Sequence, residues 1–125
     1  HPGEAARLLK TTTEKIQQDR EGAAAKISHL FGGVSVLKGA GSLIATQSEI
    51  TICQAGNPGM ATAGMGDVLS GVIGGLLAQK VPLGVAAKLG VLLHAMAGDR
   101  AAEKGERGMI ASDLFPYLRE LVNWE

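Results

Sequence analysis

The sequence predicts an α/β fold, and two kinds of pattern carry that prediction. Short apolar runs such as Val34–Lys38 are bounded by glycine or by turn residues, as buried strands usually are. A longer run that starts near Asp67 repeats its apolar residues with helical spacing. Apolar residues make up 46% of the 125-residue chain, so one domain's worth of sequence carries enough of them for a core.

The first third of the chain is predicted to be helical. Gly3–Leu9 forms a short helix, and Thr13 is a suitable N-cap for a second helix over Glu14–Phe31. Its apolar face is modest, and the pair Gly32-Gly33 is expected to end it.

Three short strands are predicted next. Val34–Lys38 is apolar and flanked by glycine, which is typical of an inner strand of a parallel sheet. Leu43–Thr46 and Ile50–Cys53 are alternating runs joined by a polar turn at Gln47-Ser48, which predicts a hairpin.

The second half is predicted to hold three helices. The first begins near Gly64–Asp67 and ends near Gln79. Its apolar face comprises Val68, Leu69, Val72, Ile73, Leu76 and Leu77. Gly71, Gly74 and Gly75 weaken this helix, so we expect another backbone to pack closely against them.

The two remaining helices are bounded by ordinary start and stop signals. Pro82 opens one that reaches about Lys104, and Gly105–Gly108 forms the loop after it. Ala111–Asp113 caps the last helix, which reaches Val122, with Ser112 and Asp113 as the N-cap pair.

Charge and cysteine content exclude several classes of partner. Lys plus Arg and Asp plus Glu number 12 each, so the net charge of zero does not favour nucleic acid or an acidic membrane. Cys53 is the only cysteine, which excludes an internal disulfide and favours a reducing, cytoplasmic compartment. Val81–Gly98 is long and apolar but contains Lys88 and His94, so a buried helix is favoured over a membrane span.

The segment Asn57–Gly71 combines a glycine loop, a carboxylate and a helix start. Gly64 and Gly66 lack a Cβ, so an anion can approach their backbone N–H groups at the positive end of the helix dipole. Asp67 in the first turn is positioned to accept a proton from a hydroxyl that attacks a phosphoryl group. An Asp there is more often only a cap or dipole partner, but the whole string N-P-G-M-A-T-A-G-M-G-D-V-L-S-G is too long for chance cap chemistry.

That string resembles the anion-hole and catalytic-base motif of the ribokinase-like superfamily. It is most similar to the signature of the ADP- or ATP-dependent NAD(P)H-hydrate dehydratases, although their pattern has two glycines where this chain has Ala63-Gly64. The resemblance implies a three-layer α/β/α fold, with Asp67 as catalytic base and Gly64, Met65 and Gly66 as the anion hole.

Two other segments match the same family. Lys38–Ser42 reads K-G-A-G-S directly after a strand, where a lysine and backbone N–H groups can hold a phosphate, although an ordinary turn with an exposed Lys is favoured when the segment is taken alone. In the family the matching motif contacts the adenine nucleotide, so the resemblance assigns that role to Lys38, Gly39, Ala40, Gly41 and Ser42, together with Gly66. His1 is the first residue of H-P-G-E, and the resemblance assigns substrate binding to His1 and Asp67. Glu4 is expected to cap its helix or to help hold the site.

The remaining candidates favour ordinary structural roles. His94 lies between apolar residues and is expected to be a core or interface histidine, and His29 a solvated one. Cys53 is expected in the core, and the Thr62 hydroxyl in a turn rather than on a phosphate. No His/Cys cluster has metal-ligand spacing, so any metal is expected to be Mg²⁺ brought by the nucleotide.

The implied reaction is repair of hydrated NADH or NADPH. The ring hydroxyl is phosphorylated by ADP or ATP and then lost as phosphate. A small-molecule kinase on the same fold is one alternative, and a non-catalytic fragment is another. Because H-P-G-E is an internal motif of the family, residues 1–125 are expected to form the C-terminal half of the domain, with a missing N-terminal half as partner. The small residues after Val81 further suggest a homo-oligomer.

Overall fold

The computed structural model describes residues 1–123, and tertiary contacts divide this part of the chain into two compact units. The first unit is His1–Gln54 and the second begins at Ala55. Helices and a sheet are both present, as the α/β prediction requires.

The first unit packs three helices with a three-stranded sheet. In chain order its elements are α1 (Pro2–Leu8), α2 (Thr13–Gln18), α3 (Arg20–Phe31), β1 (Ser35–Leu37), β2 (Leu43–Ala45) and β3 (Ile50–Ile52). The strands lie in the order β1-β2-β3, with Val36 opposite Ile44 and Ile44 opposite Thr51. All three residues of β2 are buried, because helix α3 covers the sheet.

The core of this unit is built from small and branched side chains. Ala24 on α3 and Ala45 on β2 are both 0% exposed, so helix and strand approach each other closely. Ile16 and Leu37 fill the space beside them. The first unit thus builds this part of its core without an aromatic side chain.

Two predictions for the first unit are wrong. The single helix over Glu14–Phe31 is interrupted at Asp19, whose carboxylate accepts a hydrogen bond from the Gly22 N–H at 3.0 Å. Asp competes for backbone N–H groups in this way, so it ends α2 and caps α3. The cap of α2 is Thr12 rather than Thr13, since the Thr12 hydroxyl accepts from Lys15 N–H at 3.2 Å.

The pairing of β1 also differs from the prediction. Within residues 1–123 it pairs antiparallel with β2, whereas its apolar sequence predicted a parallel neighbour. An apolar run indicates burial on both faces and does not specify the direction of the partner strand. The predicted hairpin of Leu43–Thr46 and Ile50–Cys53 is confirmed as β2 and β3.

The second unit is helical and is organised around one long helix. Its elements are α4 (Met65–Ala78), α5 (Leu83–Ala102) and α6 (Phe115–Val122), with 3₁₀ turns at Pro58–Met60 and Ala111–Leu114. Helix α5 packs against α4, α6 and both 3₁₀ turns. One cluster of its core consists of Met65, Ala97, Ala101, Met109, Leu114 and Leu121.

Within residues 1–123, no backbone packs closely against the three glycines of α4. A Cβ added at Gly71, Gly74 or Gly75 meets nothing within 4 Å among the described residues. The close approach is instead made by Gly90 of α5, where a Cβ would lie 2.5 Å from Ile73 Cγ1. The small residues of α5, such as Ala86, Ala97 and Gly98, are buried in the chain. They therefore do not themselves form an exposed interface.

The search for membrane spans covered the described residues, and none of their helices is both long and apolar enough to cross a bilayer.

Replacing Gly90 by Ala should destabilise the chain, because the new methyl group overlaps Ile73. We expect the free energy of unfolding to fall by about 1–3 kcal/mol, as for other overpacked cores. Gly74→Ala is the matched control, since its methyl group enters open space and should stabilise α4 by about 0.5–1 kcal/mol. Urea unfolding followed by circular dichroism measures both, and equal effects of the two changes would contradict the packing described here.

Candidate functional site

The start of α4 is a left-handed glycine turn. Gly64 has φ +86° and is the N-cap of α4, where no side chain bonds to the first-turn N–H groups. Met65 N–H donates to the Thr62 carbonyl at 3.4 Å, and Val68 N–H donates to the Gly64 carbonyl at 3.0 Å. The predicted helix start at Gly64–Asp67 is thereby confirmed.

The first turn of α4 presents a carboxylate beside backbone donors. Asp67 is exposed, and Gly66 is partly exposed one residue before it. The early N–H groups of a helix lack intrahelical partners, and the dipole is positive at this end. An anion and a proton-accepting group are therefore accommodated by adjacent residues of one turn.

Helix α5 supports this turn through His94. The His94 ring is buried, and its Nε2 lies 3.0 Å from the carbonyl oxygen of Met65. A carbonyl only accepts, so Nε2 carries the proton in this contact. His94 is thus a core histidine, as its apolar neighbours predicted, but it holds the first residue of α4.

The loop before this turn is held by Asp99, which the sequence reading did not single out. The Asp99 carboxylate accepts from Gly56 N–H at 3.0 Å and from the Asn57 side-chain amide at 2.9 Å. The Asn57 Oδ1 in turn accepts from Gly59 N–H at 3.0 Å and starts the 3₁₀ turn. The sequence did contain a signal for Asp99. A carboxylate in the last turn of a helix is unfavourable beside the negative end of the helix dipole, so a hydrogen-bond partner for it is expected.

In the first unit, the loop Lys38–Ser42 is shaped by two glycines and a serine. Gly39 has φ +152° and Gly41 has φ +69°, conformations that favour glycine. The Ser42 hydroxyl lies 3.4 Å from Gly39 N and donates to the Gly39 carbonyl at 3.3 Å. The loop is therefore closed on itself, while Lys38 is partly buried at its start.

Arg20 holds this loop from α3, and it too was missed by the sequence reading. Its Nη1 donates to the Ala40 carbonyl at 2.7 Å and its Nη2 to the Leu37 carbonyl at 3.4 Å. A Cβ at Gly39 would lie 2.7 Å from Nη2, so glycine is required beside the guanidinium. An open groove of about 450 Å³ is lined by Arg20, Ala40, Gly41 and neighbouring residues of α2 and β3.

His1 is the N-cap of α1 and forms a capping box with Glu4. The His1 Nδ1 accepts from Gly3 N–H at 3.1 Å, and the His1 amino group donates to Glu4 Oε2 at 3.1 Å. This hydrogen bond and its charge, followed by the charge of Lys38, lower the pKa of Glu4. The H-P-G-E and K-G-A-G-S segments therefore lie within electrostatic range of each other in the first unit.

The other candidates have structural positions. Cys53 is buried, as predicted. Asp113 accepts from Ile110 N–H at 2.8 Å at the start of the second 3₁₀ turn, while Thr62 and His29 are exposed. Among residues 1–123, no group of three or more His, Cys, Asp and Glu side chains is arranged to hold a metal ion.

Comparisons with known proteins agree with one another. The family model described as NAD(P)H-hydrate dehydratase matches residues 1–120. A bifunctional NAD(P)H-hydrate repair enzyme of Coxiella burnetii is 57% identical over 125 residues, covering 98% of this chain and 26% of that protein. The ADP-dependent (S)-NAD(P)H-hydrate dehydratase of Neisseria meningitidis is 48% identical over 126 residues, covering 98% of this chain and 43% of that protein.

A solved structure is similar over the same range. The ADP/ATP-dependent NAD(P)H-hydrate dehydratase of Bacillus subtilis, co-crystallised with ATP and Mg²⁺, has a TM-score of 0.92 at 27% identity. The match covers 98% of this chain and 45% of that one. The chain thus spans less than half the length of each of these relatives.

Replacing Gly64 by Ala should destabilise the start of α4. A side chain at φ +86° is strained, and the new Cβ would lie 3.2 Å from the Ala111 Cβ. We expect a loss of about 1–2 kcal/mol in the free energy of unfolding. Gly71→Ala, in open space on the same helix, is the control for the added methyl group. Unchanged stability of Gly64→Ala in chemical denaturation would contradict the left-handed turn.

Proposed function

The chain belongs to the NAD(P)H-hydrate dehydratase family, and from this premise we propose that it supplies the base and nucleotide loop of such an enzyme. Its α/β architecture is the ribokinase-like fold of the solved relative. The proposed substrates are a hydrated NADH or NADPH and an adenine nucleotide, ADP or ATP.

The observation that carries this proposal is the start of α4. Asp67 is exposed in the first turn, directly after the left-handed Gly64 and after Gly66. In the proposed reaction the carboxylate accepts the proton of the ring hydroxyl while that oxygen forms a bond to the terminal phosphorus. The phosphoanhydride bond breaks at the same phosphorus, and the N–H groups of Gly64, Met65 and Gly66 stabilise the transferring charge. The bond between this oxygen and the ring carbon then breaks and phosphate leaves, while the neighbouring ring carbon loses a proton and the ring double bond forms.

The proposed nucleotide contacts use Lys38–Ser42. The loop is compatible with phosphate because Gly39 and Gly41 have no side chains and Lys38 brings a positive charge. Arg20 fixes the carbonyl groups of Leu37 and Ala40, so backbone donors of the loop keep one arrangement. Mg²⁺ is proposed to arrive with the nucleotide, where it neutralises phosphate charge. His1 is proposed to contact the hydrate through Nε2, since Nδ1 caps α1.

We further propose that a second half of the domain completes the fold. The protein is also proposed to be cytoplasmic and to self-associate. Relatives longer than this chain support the missing half. Exposed Val85, Leu89 and Leu92 lie on one face of α5 and offer an apolar surface to another copy.

The proposed activity can be tested in a chimera. This chain would replace its matching segment in the Neisseria meningitidis dehydratase, and hydrated NADH with ADP should give NADH, seen as recovered absorbance. Phosphorylation of hydroxymethyl pyrimidines or thiazoles instead would favour a small-molecule kinase. A chimera that folds but turns over neither class of substrate would favour a non-catalytic fragment and reject the proposal.

Asp67→Asn in this chimera should lower kcat by about 10²–10⁴-fold, because the amide cannot accept the proton. Nucleotide affinity should stay largely unchanged, since the anion hole remains. Glu14→Gln is the matched control, because Glu14 is an exposed carboxylate in the first turn of α2. Steady-state kinetics and nucleotide titration measure both effects, and near-normal turnover of Asp67→Asn would remove the base role.

Arg20→Lys should mainly weaken the nucleotide interaction. An ammonium group cannot span the carbonyls of Leu37 and Ala40 as the guanidinium does, so the loop becomes mobile. We expect KM for ADP to rise about tenfold with a smaller change in kcat, as for loss of one hydrogen bond to a charged group. Arg7→Lys on α1 is the control, and an unchanged KM in Arg20→Lys would show that Arg20 does not shape the loop.

A further inference from the structure

We propose that Asp99 of α5 is a positioning residue that fixes the loop from Gly56 to Gly66 and thereby sets the location of Asp67 and its neighbouring N–H groups. The inference rests on the proposed function for its kinetic consequence. Its structural part rests only on contacts within the second unit.

Asp99 and Asn57 form a pair with a defined direction. Both Asp99 oxygens accept, one from Gly56 N–H at 3.0 Å and one from the Asn57 Nδ2 at 2.9 Å. The Asn57 Oδ1 accepts from Gly59 N–H at 3.0 Å, so the amide cannot be turned round without losing both of its bonds. In the native pair Asp99 therefore only accepts, while Asn57 both donates and accepts.

The loop allows little freedom around this pair. A Cβ at Gly59 would lie 2.8 Å from the Glu106 carbonyl oxygen and 2.9 Å from Asn57 Oδ1. The hydrogen bond that Gly59 N–H donates to Asn57 Oδ1 lies at the start of the 3₁₀ turn Pro58–Met60. This turn leads towards Gly64, the N-cap of α4. A change in the Asn57 side chain is thus transmitted along a tightly packed turn.

Three positions on α5 contact successive parts of the loop. Asp99 binds its beginning, the Met60 side chain occupies the space where a Cβ of Gly98 would be, and His94 binds the carbonyl of Met65. Ala61, Thr62 and Ala63 remain exposed between these attachments. The exposed segment is therefore supported on both sides by one rigid helix.

Asp99 does not serve as the base in this arrangement. Both of its oxygens are engaged by the loop, and its place in the last turn of α5 is electrostatically unfavourable for a carboxylate. The two hydrogen bonds offset that cost. Since small misplacement of reacting groups costs about 10²-fold in rate, loss of this anchor should appear mainly in kcat.

Exchange of the two side chains provides the test. In Asp99→Asn the new amide must turn its NH₂ group towards a donor, either Gly56 N–H or Asn57 Nδ2, and in Asn57→Asp two carboxylates face each other. In the double variant Asn57→Asp/Asp99→Asn, Asn at 99 accepts from Gly56 and donates to Asp at 57. The latter still accepts from Gly59, so all three bonds are restored and only the bond between positions 57 and 99 changes direction.

In the chimera, each single variant should lower kcat about 10–100-fold while changing KM for ADP less than about threefold. The double variant should recover kcat to within about threefold of the unmodified chimera. Glu103→Gln, which removes an exposed carboxylate at the C-cap of α5, should match the unmodified chimera. Unchanged kcat in Asp99→Asn, or a double variant as impaired as the product of the singles, would overturn the proposal.

Amide hydrogen exchange separates this inference from the proposed function. The Gly56 and Gly59 amides should exchange faster in both single variants and regain protection in the double variant, whether or not the protein is active. An inactive but folded unmodified chimera would reject the proposed reaction alone. Unchanged protection in the single variants would reject the anchoring role of Asp99 alone.

Discussion

The geometry of the second unit depends on polar contacts that α5 makes with the glycine-rich loop before α4. Such a loop contributes few side chains of its own, so its conformation must be fixed from outside. Asp99 binds Gly56 and Asn57, and His94 binds the carbonyl of Met65. These bonds hold the left-handed turn at Gly64, and that turn decides where α4 begins and therefore where the exposed Asp67 lies.

The same constraint applies separately in the first unit. The loop Lys38–Ser42 contains two glycines at positive φ, and a bare backbone of this kind suits an anion but is intrinsically mobile. Arg20 restricts it by donating to the carbonyls of Leu37 and Ala40. In both units a charged side chain on a neighbouring helix fixes a loop that itself offers mainly N–H groups.

The sequence predicted the ends of helices and strands better than it predicted which residues contact each other in the fold. The start of α4 at Gly64–Asp67, the stop at Gly32 and the hairpin of β2 and β3 follow from glycine placement and apolar spacing, and all three are present. The break at Asp19 was missed because a single Asp is compatible with either a cap or a solvated position. The antiparallel partner of β1 was missed because an apolar run indicates burial and does not specify the direction of the neighbouring strand.

Arg20 and Asp99 were missed for the same physical reason, and that reason also explains why the family resemblance is strong. A sequence motif is a set of residues whose chemical type and spacing are both constrained. Residues that face a ligand from one loop are constrained in this way. Arg20 lies 17 residues before Leu37 and Asp99 lies 42 after Asn57, so no local pattern joins either pair. Their acceptors and donors are backbone groups or a single amide, which the sequence does not distinguish from any others. The residues proposed to touch substrate are thus readable from sequence, whereas those that hold them in place emerge only from the folded contacts.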